Sequence, residues 1–344
     1  MKLINIIFVF FVVFISGCHL FDKEIIISGT TMGTTYHIKI VALFYKLDKV
    51  AIKKKVDILL KKINHSMSIF DKKSEISRFN NLSSDKRFKV SKDFMNVFLE
   101  GRKIYSITNG AWDGTVCNLV NLWGFGSKAN GLEILGEKEL EPVLSYTGYE
   151  LVNYDYNQSE IWKKKDKVSL DFGSIAKGYA VDRVALLLKS LGFKNFMVEI
   201  GGEIFTSGFN KNKEKWVIGI NRPIKNADIN DVFRLLNISG KAVATSGSYR
   251  NYIDKGGRSF SHIIDPRTGS PVKNKVVSVS VISNSCVLSD GLATGLMVMG
   301  AKRGISLCNS LDDVDCMIVE KGGDNFKIFD SIGFGKYLLD IQKD

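Results

Sequence analysis

Apolar residues recur along the chain at two different periods, and the switches between them mark out strands and helices. Over 24–43 they alternate, with Tyr36, Ile38 and Ile40 on one side, and small polar residues interrupt the run around 29–33. A period of two broken by such a turn predicts a strand–turn–strand hairpin. Over 49–63, Val56, Leu59, Leu60 and Ile63 fall at helical spacing. A second helix is predicted over 91–108, with Phe94, Val97, Phe98, Ile104 and Tyr105 inward and Asn109-Gly110 as its stop. A third covers 174–191 and ends at Gly192. Strands are expected at 196–200 and 216–220, a strongly β-branched strand at 276–282, and a short helix at 290–299 closed by Gly300. The elements do not follow the regular alternation of a parallel sheet. The expected fold class is therefore α+β, with mixed, largely antiparallel sheets and packed helices. No repeat or low-complexity linker divides the chain, so 25–344 is expected to form one domain, or two closely joined lobes.

The chain opens on a different apolar pattern. Lys2 precedes 6–15, which is nearly all Ile, Phe and Val. This run is short for a membrane span and suits the core of a signal peptide. Ser16, Gly17 and Cys18 follow, and small residues before a cysteine resemble a bacterial lipobox. On that reading 1–17 is removed, Cys18 is lipidated and becomes the N-terminus, and 18–24 is a tether. The domain would then sit at the periplasmic face of a bacterial membrane, the inner one preferred. The alternative is an ordinary cleaved signal beside an incidental cysteine.

Composition adds less. Of 344 residues, 45% are apolar and 24% charged, enough for a substantial core. The net charge of +12 comes from scattered lysine runs such as 53–55 and 163–165. These are not interleaved with aromatics along one face, so they read as a solvated basic surface rather than a nucleic-acid track. Such a surface favours anionic ligands or lipid headgroups. The other cysteines, Cys117, Cys286, Cys308 and Cys316, lack metal-site spacing and read mostly as buried small residues, with a Cys308–Cys316 bridge as the open alternative.

Five stretches carry candidate chemistry. In TTMGTTYHI, Met32 sits beside Gly33 in a polar turn, where a polarizable thioether could meet an aromatic face or simply fill the core. GAWDGTVCNLVNLWGFG places Asp113, a potential acceptor for a ring N–H or ribose hydroxyl, in an aromatic run bounded by glycines. LDFGSIAKGYAVD leads from Asp171 through Gly173 into a helix whose N-terminus favours anions, with Lys177 one turn in. It lacks the spacing of a Walker motif. The segment 244–272 gathers Ser, Gly, Arg and Asp around His262, one of four histidines. In SDGLATGLMVMG, Asp290 and Thr294 are four apart on one helical face, a pair of hard oxygens suited to Mg²⁺. Scaffold roles account for each stretch singly. Together they describe a site for a flat ring, an anion and a hard cation, which is what a dinucleotide requires.

At that point the chain resembles the ApbE family, the FAD:protein FMN transferases. The resemblance covers roughly 25–335 and rests on ordered motifs: MGTTY, FDKKSEISRFN, WDGTV, LWGFG, LDFGSIAKGYAVD, EIGGEIFTSG, TSGSYRNY, SHIIDPRTG and DGLATG. It implies a T-fold-like architecture. It implies FAD contacts at Met32, Phe70, Ala111, Trp112, Asp113, Asp171, Lys177 and Ile264, and Mg²⁺ held at Ser174, Asp290 and Thr294. The ligand at Ser174 could be a side-chain or a main-chain oxygen. His262 is the expected base, in concert with Asp171 and Lys177, although an aspartate could serve instead. Some relatives carry an acidic residue where Ala293 stands, Phe at Trp112, and Ala at Gly291 and Gly295. The implied reaction moves FMN from FAD to a Thr or Ser hydroxyl of an acceptor protein and releases AMP. The implied acceptors are flavin subunits of Rnf or sodium-pumping NADH:quinone reductase type. The alternatives are Mg²⁺-dependent FAD hydrolysis to FMN and AMP, and a lipoprotein that binds flavin without catalysis.

Overall fold

A computed structural model of the chain describes residues 22–43, 48–126, 136–224, 231–248, 252–255, 258–323 and 325–339. The signal segment and Cys18 lie outside them. In chain order the elements begin with β1 (Asp22–Thr31), β2 (Thr34–Leu43), α1 (Lys49–Met67), α2 (Glu75–Asn80), β3 (Phe88–Lys89), α3 (Lys92–Ile107), α4 (Cys117–Leu122) and α5 (Glu137–Leu144). Then come β4 (Val152–Asp155), β5 (Glu160–Lys163), α6 (Ala176–Ser190), β6 (Asn195–Ile200), β7 (Glu203–Ser207), β8 (Trp216–Asn221), β9 (Val232–Ile238) and β10 (Ala242–Gly247). The chain continues with β11 (Tyr252–Lys255), β12 (Arg258–Ser261), β13 (Ile264–Asp265), β14 (Ser270–Pro271), β15 (Val276–Ser283), α7 (Cys286–Met299), α8 (Ala301–Asn309), β16 (Asp315–Gly322) and β17 (Asn325–Asp330).

The main sheet has eight strands in the order β1-β2-β6-β7-β10-β15-β16-β17. Every strand pair among the described residues is antiparallel, which realises the α+β expectation with no parallel component. The first hairpin closes on two residues, Met32 and Gly33, with φ of 50° and 74°, and its register runs from Thr31↔Thr34 to Asp22↔Leu43. Two consecutive positive φ values make the kind of tight turn whose twist matches the strands. The turn is thus narrower than the expected 29–33. The strand also starts earlier, so Asp22 to Glu24, expected to be tether, already pair with β2.

Helices α6 and α7 pack on the sheet, α1 lies against both β1 and α6, and α3 lies against α7. The largest core cluster lies there and includes Ile38, Val56, Phe98, Val184 and Phe196. Helix α7 is buried along almost its whole length. It begins four residues before the expected 290 because Asp182 of α6 caps it. The Asp182 carboxylate accepts from Cys286 N (2.8 Å), Val287 N (3.0 Å) and Ser285 Oγ (2.9 Å). That clamp fixes α7 against α6 and sets the positions of the side chains that follow.

Candidate active site

A cavity of about 620 Å³ opens where the start of α6, the middle of α7 and the facing parts of β7, β8 and β10 converge. Its size falls within the usual range for small-molecule sites. Asp171, Ser174 and Lys177 enter from the turn leading into α6, Asp290 and Thr294 from α7, and His262 and Ile264 from the segment around β13. Seven of the residues expected to act together, scattered over more than a hundred positions of sequence, therefore line one cavity.

Two close approaches build the cavity wall. At Gly178, a Cβ would lie 2.8 Å from the Asp290 Cβ and closer still to the Cys286 carbonyl oxygen. Only glycine lets α6 and α7 come this near. The approach lets Gly178 N donate to Asp290 Oδ2 at 2.9 Å. A helix-start N–H expected to face a phosphate is therefore occupied by a carboxylate. At Gly201, φ is 62° and a Cβ would meet Lys177 Cδ at 3.2 Å, so the lysine stem runs directly over the turn before β7.

Lys177 Nζ pairs with Glu203 Oε1 at 3.2 Å. The negative charge of Asp290, with help from Glu203, holds the Lys177 ammonium well above its usual range despite burial. The two carboxyls shift upward. Burial is the main cause for Glu203, reinforced by the Asp290 charge and opposed by Lys177. Burial also raises Asp290, against Lys177 and the Gly178 N–H. Two buried acids facing one ammonium make this wall hungry for positive charge.

The remaining oxygens are hard donors. Trp112 Nε1 donates to Ser174 Oγ at 2.8 Å. Thr294 Oγ1 lies 3.1 Å from Ser246 Oγ. Asp171 is tied at both ends: its N–H donates to Gly114 O at 2.7 Å, and its Oδ1 accepts from Gly173 N at 2.8 Å. Burial raises the Asp171 carboxyl above its usual range, against the Gly173 hydrogen bond.

The sequence model described as "ApbE family" matches residues 32–318. The chain belongs to the ApbE family. It is 40% identical to the FAD:protein FMN transferase of Vibrio cholerae over 94% of this chain and 96% of that protein. It is 35% identical to the one from Haemophilus influenzae over 85% and 86% of the two chains. Among solved structures it resembles the flavin transferase ApbE from Vibrio cholerae, at a TM-score of 0.83 and 40% identity, covering 92% of this chain and all of that one. The apo Pseudomonas stutzeri flavinyl transferase ApbE gives the same TM-score at 31% identity, covering 92% of this chain and 97% of that one.

The residues that the ApbE resemblance assigned to flavin divide between the cavity and its surroundings. Asp171, Lys177 and Ile264 line the cavity; Met32, Phe70, Ala111, Trp112 and Asp113 do not. Phe70 is 77% exposed at the surface. Met32 packs at the edge of the main core. Ala111 is buried among residues of α7 and β15. Asp113 is buried with Oδ1 accepting from both Thr115 N and Thr115 Oγ1 at 2.7 Å, and burial pushes its carboxyl up to about 7. It organises the turn before α4, whose Val116 and Val120 reach the cavity.

The aromatic run makes contacts that brace the site. Trp112 holds Ser174, Trp123 Nε1 donates to Gly269 O at 2.7 Å, and the Phe125 ring stands edge-on to His262 with centroids 6.3 Å apart. Glu203 and Ser246 complete the wall and escaped the sequence reading. Their available signals were an acid opening the otherwise apolar strand EIF after a double glycine, and a hydroxyl at the end of AVATSG. The four described cysteines are buried, as expected, and free, with no bridge between Cys308 and Cys316. Among the described residues, no group of three or more His, Cys, Asp or Glu could hold a metal, and no helix is long and apolar enough to cross a membrane.

Proposed function

We propose that this chain transfers FMN from FAD to a Thr or Ser hydroxyl of an acceptor protein, in a Mg²⁺-dependent reaction that releases AMP. The observation that carries the reading is the convergence of Asp171, Lys177, His262, Asp290 and Thr294 on one cavity in an ApbE-family fold. The acceptor hydroxyl oxygen attacks the phosphorus next to riboflavin. A new P–O bond forms, the P–O bond to the bridging oxygen breaks, and AMP departs. In this reading the hydroxyl proton passes to His262, which lines the cavity, as the base. Lys177 offsets charge on the pyrophosphate.

Ser174, Asp290 and Thr294 would hold Mg²⁺. The fit is chemical: all three are hard oxygen donors with a single carboxylate, and Mg²⁺ is commonly held by one or two carboxylates with substrate phosphate and water. Bound there, Mg²⁺ supplies charge neutralisation to the phosphates, the main demand of phosphoryl-type transfer. The acceptors in this reading are flavin subunits of Rnf or sodium-pumping NADH:quinone reductase type. Lipid on Cys18 would hold the enzyme beside them at the periplasmic face of the membrane.

Incubation with FAD, Mg²⁺ and a candidate acceptor tests the reaction. Acceptor gaining FMN in step with AMP release supports transfer. AMP release without any acceptor identifies a FAD hydrolase, and FAD left intact identifies a carrier.

A further inference from the structure

We infer that Glu203 is a second carboxylate of the cation site, acting beside Asp290. The inference rests on the Mg²⁺-dependent reading above and assigns to that site a residue outside its Ser174, Asp290 and Thr294 set. Glu203 opens β7 immediately after the left-handed Gly201-Gly202 turn, and its side chain is only 6% exposed. One oxygen, Oε1, meets Lys177 Nζ at 3.2 Å. The other, Oε2, is buried with no hydrogen-bond partner among the described residues. Glu203 and Asp290 line the same cavity as Lys177.

Buried carboxylates are normally paired or bound to a metal. Here Lys177 can balance one carboxylate, and the cavity is lined by three, Asp171, Glu203 and Asp290. Asp290 already accepts from Gly178 N through Oδ2. The unmet Glu203 Oε2 and the excess charge call for the same thing, a small cation between the two acids. Holding Lys177 in place needs only Oε1, so that role alone leaves Oε2 unexplained.

Titrating the full-length protein with Mg²⁺, without FAD, tests this by calorimetry and by the Mg²⁺-dependent rise in melting temperature. Glu203→Gln keeps the shape and the contact to Lys177 but removes the charge. It should weaken Mg²⁺ binding by about tenfold or more, the loss typical when a supporting group of a metal site is removed, and should lose most of the melting-temperature rise. Glu203→Asp keeps the charge with a shorter reach and should fall between the two. If Glu203→Gln does not fold, a clear drop in Mg²⁺ affinity for Glu203→Asp carries the test. Mg²⁺ affinity unchanged within about twofold in the folded variant, with weaker binding of FAD alone, would reduce Glu203 to a support for Lys177 and overturn the inference. Absence of Mg²⁺ binding by the parent protein would sink the magnesium reading and this inference together. A parent that binds Mg²⁺ with a variant that binds equally well sinks only the inference.

Discussion

Gly178→Ala should damage this protein although the change sits inside a helix. At an ordinary helical position, replacing glycine with alanine gains about 1 kcal/mol through propensity alone. Here the new methyl would lie 2.8 Å from both Asp290 Cβ and the Cys286 carbonyl carbon, whereas real Cβ contacts essentially never fall below 3.0 Å. The Cys286 contact is to backbone, so no side-chain rotation relieves it. The two helices must part, at a cost of about 1–3 kcal/mol for overpacking. Parting them also stretches the 2.9 Å bond from Gly178 N to the Asp290 carboxylate, a bond to a charged group worth about 1.5–3 kcal/mol. After the propensity gain, a net loss of about 2–4 kcal/mol is expected. Urea unfolding measures it directly. Because the parting displaces Asp290, flavin transfer should fall by about a hundredfold even where the variant remains folded, the scale on which small misplacements act. A Gly178→Ala protein as stable as the parent, or more so, would refute the claim that this glycine exists for helix approach.

Other consequences follow from particular contacts. Lys163 is fully buried and donates to Asn80 O, Asp166 O and Val168 O at 2.9, 2.8 and 3.1 Å; Lys163→Met should leave three carbonyls unmet and cost about 3 kcal/mol or more in urea unfolding. Asp93 is buried, which alone would raise its carboxyl, but Tyr179, Lys62 and Arg183 outweigh burial and hold it below the usual range. Between its folded and unfolded pKa values the unfolded chain binds more protons, so this contribution is present above about pH 4 and lost as pH falls through the folded value. Unfolding followed from pH 5 to pH 2 should therefore show a steeper loss of stability in the parent than in Asp93→Asn. Cys18→Ser should release the protein from the membrane fraction while leaving transfer to a soluble acceptor unchanged; continued membrane retention would contradict lipid anchoring.

The parts of the fold that were legible in sequence are those whose causes are local. Ser91 accepts from Phe94 N at 3.2 Å and caps α3 where the pattern placed its start. The alternation of Tyr36, Ile38 and Ile40 matches their burial in β2. The early start of α7 was hidden because its cap, Asp182, lies more than a hundred residues away in sequence. Within the site, Asp171, Lys177, Asp290 and Thr294 were readable because each sits in a short stretch with a recognisable geometry. Glu203 was not, since its partner Lys177 lies 26 residues away in sequence and nothing near Glu203 announces that ion pair. Trp112 entered through the family resemblance, whereas the hydrogen bond its N–H makes to Ser174, formed across 62 residues, has no local signal in sequence.

The most direct measurement is mass spectrometry of a candidate acceptor after incubation with FAD and Mg²⁺, comparing the parent enzyme with Asp290→Ala. The account predicts an FMN adduct on an acceptor Thr or Ser with the parent, lost on chelation of Mg²⁺ and absent with the variant. Undiminished labelling by Asp290→Ala would contradict it.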